Sequence, residues 1–282
     1  LAPVITNMPA NLIINNNTGN CNATATWTTP TITDNCAGVT ITSTHNSGDV
    51  FSLGTTTVTY TATDAAGNTS TASFTVTVID TQNPTIVAPA NLVVNANNSC
   101  NAYGIYLGTP VTADNCSIAS VTNDAPATFP LGTTTVTWTI VDGSGNTATA
   151  TQVITVIDTQ LPTIVAPIAI NTTTNTDCTR TGLVLGNAVT TDNCSVVSVT
   201  NDAPAAFPLG TTTVTWTIVD GSGNTATATQ IVTVTDVTVP TITAPAAVTV
   251  PTNNGCFAVN VVLGTPVTAD NCSIASVTNN AP

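Results

Sequence analysis

A short acidic tripeptide, Asp-Asn-Cys, recurs four times at nearly constant intervals, at Asp34–Cys36, Asp114–Cys116, Asp192–Cys194 and Asp270–Cys272. Three other signatures keep the same period. Leu-Gly-Thr-Thr-Thr-Val-Thr with an aromatic after it stands at Leu53–Tyr60, Leu131–Trp138 and Leu209–Trp216. Asp-x-x-Gly-Asn stands at Asp64–Asn68, Asp142–Asn146 and Asp220–Asn224, and Asp-x-x-x-Pro at Asp80–Pro84, Asp158–Pro162 and Asp236–Pro240. A fixed period near 78 residues means an array of small domains. The repeats divide the chain at 1–80, 81–158, 159–236 and a partial fourth, 237–282. From Asp114 to Gln152 and from Asp192 to Gln230, 36 of 39 positions are identical. Duplication of this kind lengthens a stalk or a fibre and is a poor way to build one active site.

Inside a repeat the apolar residues follow a period of two. In Thr133–Ile140 the threonines 133, 135, 137 and 139 alternate with Thr134, Val136, Trp138 and Ile140, which sets a Thr ladder outward and an apolar row inward. The next strand puts Phe74, Val76 and Val78 inward and Thr75 and Thr77 outward. Asp142-Gly-Ser-Gly-Asn146 reads as the hairpin loop between two such strands. No segment carries a 3.6-residue apolar stripe of helical length. The expected fold is all-β, with tandem antiparallel β-sandwiches of about seven strands each, arranged as an elongated rod.

Composition excludes most chemistry. The chain has no Lys and no Glu, one Arg (Arg180), one His (His45) and fourteen Asp, for a formal charge of −13, and 65 of its 282 residues are Thr. General bases and nucleophile activators are nearly absent, so the reading is not an enzyme. A phosphate-binding surface needs Lys and Arg, so no nucleic acid is expected as a partner. No apolar run approaches the roughly 20 residues of a membrane span. His45 and Arg180 have no counterparts in the other repeats and read as loop residues. Asn-x-Ser/Thr sequons occur about as often as the composition alone predicts. A chain that starts at Leu1 and stops inside a repeat reads as a piece of a longer mature polypeptide.

Eight cysteines in four evenly placed pairs fit an oxidising, extracellular or cell-surface setting. One pair per repeat makes local pairing the economical expectation, as Cys21/Cys36, Cys100/Cys116, Cys178/Cys194 and Cys256/Cys272. Closing such a loop of about 15 residues contributes about 3 kcal/mol in the chain-entropy picture. Thiolate metal binding is the alternative, but the short spacing of zinc sites is missing. Trp27, Tyr106, Val184 and Val262, each six residues after the first cysteine, are expected to plug the core, as are Tyr60, Trp138 and Trp216.

Taken in order, Trp27-Thr-Thr-Pro30, Asp34-Asn35, Leu53–Tyr60, Asp64–Asn68, Phe74–Val78, Asp80 and Pro84 resemble the hyalin-repeat (HYR) family of immunoglobulin-like modules over essentially the whole chain. A cysteine often seen in the last strand of that family is Ala72, Ala150 and Ala228 here. The Thr-rich, Asp-Asn-Cys version is similar to arrays in giant surface proteins of Bacteroidota, including gliding and attachment adhesins exported by the type nine pathway. The resemblance implies a cell-surface, adhesive or matrix role and supplies no catalytic residue.

Calcium is the one cofactor the residues offer. Asp114, Asn115, Asp142, Asn146 and Asp158 provide hard oxygen ligands, with almost no protein cation to balance the aspartates. The competing reading is that Asp142 and Asn146 cap their own turn and that Asp158 binds linker amides. Three functions remain. The first is the non-catalytic stalk of a secreted bacterial cell-surface adhesin, whose partners are neighbouring repeats and an unidentified surface or glycan receptor. The second is a filament of identical chains, because the strand edges lack the lysines that block pairing. The third is a carbohydrate-binding array, which needs exposed aromatics.

Overall fold

The structure, a computed structural model, describes residues 1–97, 99–175, 177–253 and 255–281, with no helix among them. The chain falls into two compact units. One comprises Leu1–Asn95 and Asn101–Ile157, and the other comprises Ala96–Cys100 and Asp158–Pro282.

The first repeat shows how the pattern becomes a sandwich. Its strands are β1 Val4–Thr6, β2 Leu12–Asn15, β3 Asn22–Thr24, β4 Thr31–Thr33, β5 Thr40–Ser43, β6 Val50–Ser52, β7 Gly54–Thr63 and β8 Thr69–Ile79. A four-stranded sheet in the order β2-β8-β7-β5 faces two ribbons, β1-β4 and β3-β6. Val58, Tyr60, Phe74, Val76 and Val78 from the sheet pack on Ala23, Ala25 and Phe51 from the other layer, all nearly inaccessible. Full burial of one such apolar side chain is worth about 1.5–3 kcal/mol. The expected alternation is observed: Val136, Trp138 and Ile140 are buried while Thr133 and Thr135 are exposed. On the outer face Thr55 and Thr77 pair across β7 and β8, with hydroxyls 3.0 Å apart.

The sandwich differs from the expectation in one respect. The first strand is split, and β2 runs parallel to β8. Asn7 in the left-handed region (φ 57°) and Pro9, which cannot donate to a ladder, end β1 and let the chain cross to the other layer. The Leu-Gly signature also gains a reason. Gly54, Gly132 and Gly210 begin the long strands at φ near +100°, where a side chain is strained.

Repeats two and three reproduce the arrangement. Gly132–Asp142 pairs with Thr147–Ile157 in the first unit, and Gly210–Asp220 with Thr225–Thr235 in the second.

Candidate functional site

In each long hairpin the first aspartate is turned back on its own loop. Asp142 Oδ1 accepts the N–H groups of Ser144 (2.9 Å) and Asn146 (2.8 Å), and its Oδ2 accepts Asn146 Nδ2 at 2.7 Å. Asp220 repeats this with Ser222 and Asn224, and Asp64 with Ala66 and Asn68. Burial pushes the Asp142 and Asp220 carboxyls up, yet the hydrogen bonds from Asn146 and Asn224 and from the loop amides outweigh it and hold both below the usual range. For Asp64 the Asn68 side chain is the main cause of the lowering. A depressed native value means stability present above an unfolded carboxyl pKa of about 3.9 and lost as pH falls through the native one. The stability advantage of the native protein over Asp64→Asn is therefore expected to be constant from pH 8 to 5 and to shrink below about pH 4, read from urea unfolding at each pH.

The second aspartate lies in the Asp-Asn-Cys turn. Asp114 Oδ2 accepts the Cys116 N–H at 2.9 Å. Asn115 Nδ2 reaches Asp80 Oδ1 (3.3 Å), as do Asn16 Nδ2 (2.7 Å) and the Gln82 N–H (3.1 Å). Asp80 thus belongs to the site, held where one repeat passes into the next. Asn146 Nδ2 binds the Asp80 carbonyl at 3.2 Å. Carboxylate oxygens of Asp80, Asp114 and Asp142 lie within 4.8 Å of one another. The second unit holds Asp158, Asp192 and Asp220 in the same way.

The expected calcium ligand set is corrected accordingly. Asp114 and Asp142 converge, but Asp158 belongs to the other cluster, and Asn115 and Asn146 donate amide protons to carboxylate and carbonyl oxygens around it. Asp80 was readable only as a junction residue. Its signal was the register: Asp80, Asp114 and Asp142 recur 78 residues later as Asp158, Asp192 and Asp220.

The cysteines differ more. The bonds are Cys21–Cys116, Cys100–Cys194 and Cys178–Cys272, with Cα–Cα distances of 4.8, 4.6 and 4.5 Å, while Cys36 and Cys256 are free and exposed. Each bond joins the first cysteine of one repeat to the second of the next, so the local pairing is overturned. The reason is visible in repeat one. The Leu53 N–H binds the Cys21 carbonyl, which puts Cys21 at the start of β7. Cys36 is two residues from Gly38, which faces Ala65 in the hairpin at the far end of β7. Ten residues of strand, at about 3.3 Å each, separate the two ends, far beyond the roughly 7 Å a disulfide can bridge. In oxidised, denatured protein without reductant a thiol reagent is expected to modify two sulfurs per chain, at Cys36 and Cys256, and eight after reduction. Local pairing would leave none to modify before reduction.

Tyr60, Trp138 and Trp216 are buried as expected, but three of the four plugs expected six residues after a cysteine move out. Trp27 packs on the core and its Nε1 donates to Tyr60 Oη at 2.7 Å, but Tyr106, Val184 and Val262 are at least 80% exposed. The later repeats carry one more residue between their cysteines, so counting from the aspartate aligns Trp27 with Leu107 and Leu185. A one-residue slip reverses the face of a strand residue. Leu185 packs against the third core. Tyr103 and Tyr106 are exposed but become Thr181 and Val184 in the next repeat, so no stacking platform repeats. His45 sits beside Phe51 with ring centroids 5.1 Å apart, and Arg180 lies in the strand Thr179–Thr181 rather than in a loop.

The HYR domain family matches residues 1–78, 79–156 and 157–234. The chain belongs to the HYR family. HYR relatives include Hyalin of Lytechinus variegatus, 37% identical over 76% of this chain and 43% of that protein. Hyalin of Strongylocentrotus purpuratus is 33% identical over 96% of this chain and 24% of that protein. This HYR array therefore spans less than half the length of the curated relatives it matches. Among solved structures, a protocadherin gammaB7 EC3-6 cis-dimer aligns with 88% of this chain and 77% of its own, at TM-score 0.36 and 13% identity. A superposition that loose adds nothing to the strand pairing described above. Among the described residues of the HYR array, no helix is long and apolar enough to cross a membrane.

Proposed function

We propose that this chain is a non-catalytic, load-bearing stretch of an extracellular, adhesion-type protein, in its specific form the stalk of a bacterial cell-surface adhesin. The observation that carries this reading is the stagger of the disulfides. A covalent path from Cys21 to Cys272 can cross to Cys116, return to Cys100, cross to Cys194, return to Cys178 and cross to Cys272. That path contains roughly 32 residues instead of roughly 250, so its limiting length is about 11 nm against about 85 nm for the open chain at 3.3–3.6 Å per residue. Pulling cannot draw the sandwiches out into thread, because most of each repeat lies outside the load path. Disulfides persist in oxidising compartments, which supports an extracellular setting. The near absence of Lys, Arg and His, which activate nucleophiles, supports a structural role.

Single-molecule stretching between handles flanking Cys21 and Cys272 tests the reading. Oxidised protein is expected to stop extending near the short limit, and reduced protein to release several tens of nanometres more. Equal extension in both states would refute it. A second reading, a filament of identical chains, is favoured by one observation: Cys36 and Cys256 are exposed and free. Under the same stagger each calls for a cysteine of another repeat, in this polypeptide or in a neighbouring one. Covalent oligomers that disappear in Cys36→Ser/Cys256→Ser would support the filament.

A further inference from the structure

We propose that each aspartate cluster, Asp80–Asp114–Asp142 and Asp158–Asp192–Asp220, binds one calcium ion. The inference does not depend on the load-bearing role. In each cluster two of the three residues are buried, and their carboxylate oxygens lie within 4.8 Å of one another. Like charges at that separation repel strongly where water is excluded, and no lysine exists in the chain to relieve them.

The surrounding groups supply hydrogen bonds but no positive charge. Donors converge on these carboxylates from outside: Asn16, Gln82 and Asn115 on Asp80, Cys116 on Asp114, and Ser144 and Asn146 on Asp142. A second observation is independent of the clustering. Asp80 is only 6% exposed, and its Oδ2 is shut off from solvent without any hydrogen-bond partner, as is Oδ1 of Asp114. In the other cluster Asp192 Oδ1 is in the same state. A buried anionic oxygen without a donor is costly, and a cation among the three carboxylates supplies its missing partner.

The cluster is also built twice from changed surroundings. Ala96 stands where the first cluster has Asn16, while Gln160 and Asn193 hold Asp158 as Gln82 and Asn115 hold Asp80, and the Ser222 hydroxyl reaches Asp158 Oδ2 at 3.4 Å. The three aspartates persist although the Asn16 donor is lost.

The chemistry of the set selects the ion. All ligand atoms are oxygen, and the neighbouring cysteines Cys116 and Cys194 are oxidised, so a hard cation is required. Three carboxylates completed by water form the irregular shell that Ca²⁺ accepts and that Mg²⁺, with its strict octahedron, takes up poorly. Half-saturation near 0.1–1 mM, the range of extracellular calcium modules, is expected.

The test is isothermal titration of the oxidised full chain with CaCl₂, paired with thermal melts in CaCl₂ and in EDTA. Two equivalents are expected, with melting raised by several degrees in calcium. Asp80→Asn is expected to lose one equivalent and keep the other, and Asp158→Asn to do the converse, so one variant that fails to fold leaves the other to decide. Absence of heat and of any melting shift at 10 mM Ca²⁺, two equivalents surviving in the Asp80→Asn/Asp158→Asn double variant, or an equal response to Mg²⁺ would each overturn the proposal.

Discussion

Serine at both Cys21 and Cys116 is expected to lower the unfolding free energy of the first unit by about 2–5 kcal/mol, while Cys36→Ser changes it by less than about 0.5 kcal/mol. The asymmetry follows from loop length. The Cys21–Cys116 bond spans 95 residues, and in the chain-entropy picture a loop of that order removes about 4.7 kcal/mol worth of freedom from the unfolded chain. Cys36 is an exposed thiol whose hydroxyl replacement removes nothing. Urea unfolding of oxidised protein checks both values. Should Cys36→Ser cost as much as Cys21→Ser, the local pairing would be right and the stagger wrong. The load path would fail with it, since a repeat closed on itself transmits force only through its backbone.

Gln152→Ala is expected to cost about 3 kcal/mol, more than an average core truncation of a polar residue. Gln152 is wholly buried in the middle of the second core. Its Oε1 accepts Trp138 Nε1 at 3.2 Å, and its Nε2 donates to the carbonyls of Ala90 (2.7 Å) and Leu107 (3.0 Å). Truncation leaves one donor and two acceptors buried and unpaired, at about 1–3 kcal/mol for each group that water cannot reach, plus a cavity. Gln230 makes the same bonds to Trp216, Ile168 and Leu185.

Repeat one solves the same problem with Phe74 in place of the glutamine and Tyr60 in place of the tryptophan, and Trp27 donates to the tyrosine. The three residues act as a set. Gln152→Phe alone is expected to be as damaging as Gln152→Ala, and Leu107→Trp/Trp138→Tyr/Gln152→Phe together to recover most of the loss. Chemical denaturation of the four proteins measures the coupling. Additive losses across the set would show that the side chains do not substitute as a unit.

Gln152 was invisible as a core residue when only polarity was read. It lies on the inward register of its strand, two residues before Ile154, and register outranks polarity when every polar atom of a side chain finds a partner. Tyr106 failed in the opposite direction. It is aromatic and sits at a constant distance from a cysteine, but one extra residue between the cysteines puts the adjacent, half-buried Leu107 in the place of Trp27, and its counterpart Leu185 packs on the core.

By itself, the sequence determined the β-sandwich, the period and the inward rows Val136–Trp138–Ile140 and Phe74–Val76–Val78, because these follow from side-chain alternation between neighbours two residues apart. It also contained every residue of the aspartate clusters and every cysteine of the bonds. Which of them meet was decided only by the tertiary structure. A strand of ten or eleven residues carries Cys21 and Cys36 to opposite ends of one sandwich, while the passage into the next repeat brings Cys116 beside Cys21 and Asp114 and Asp142 beside Asp80. Proximity across a junction is a property of packed domains, and no spacing within a single repeat encodes it.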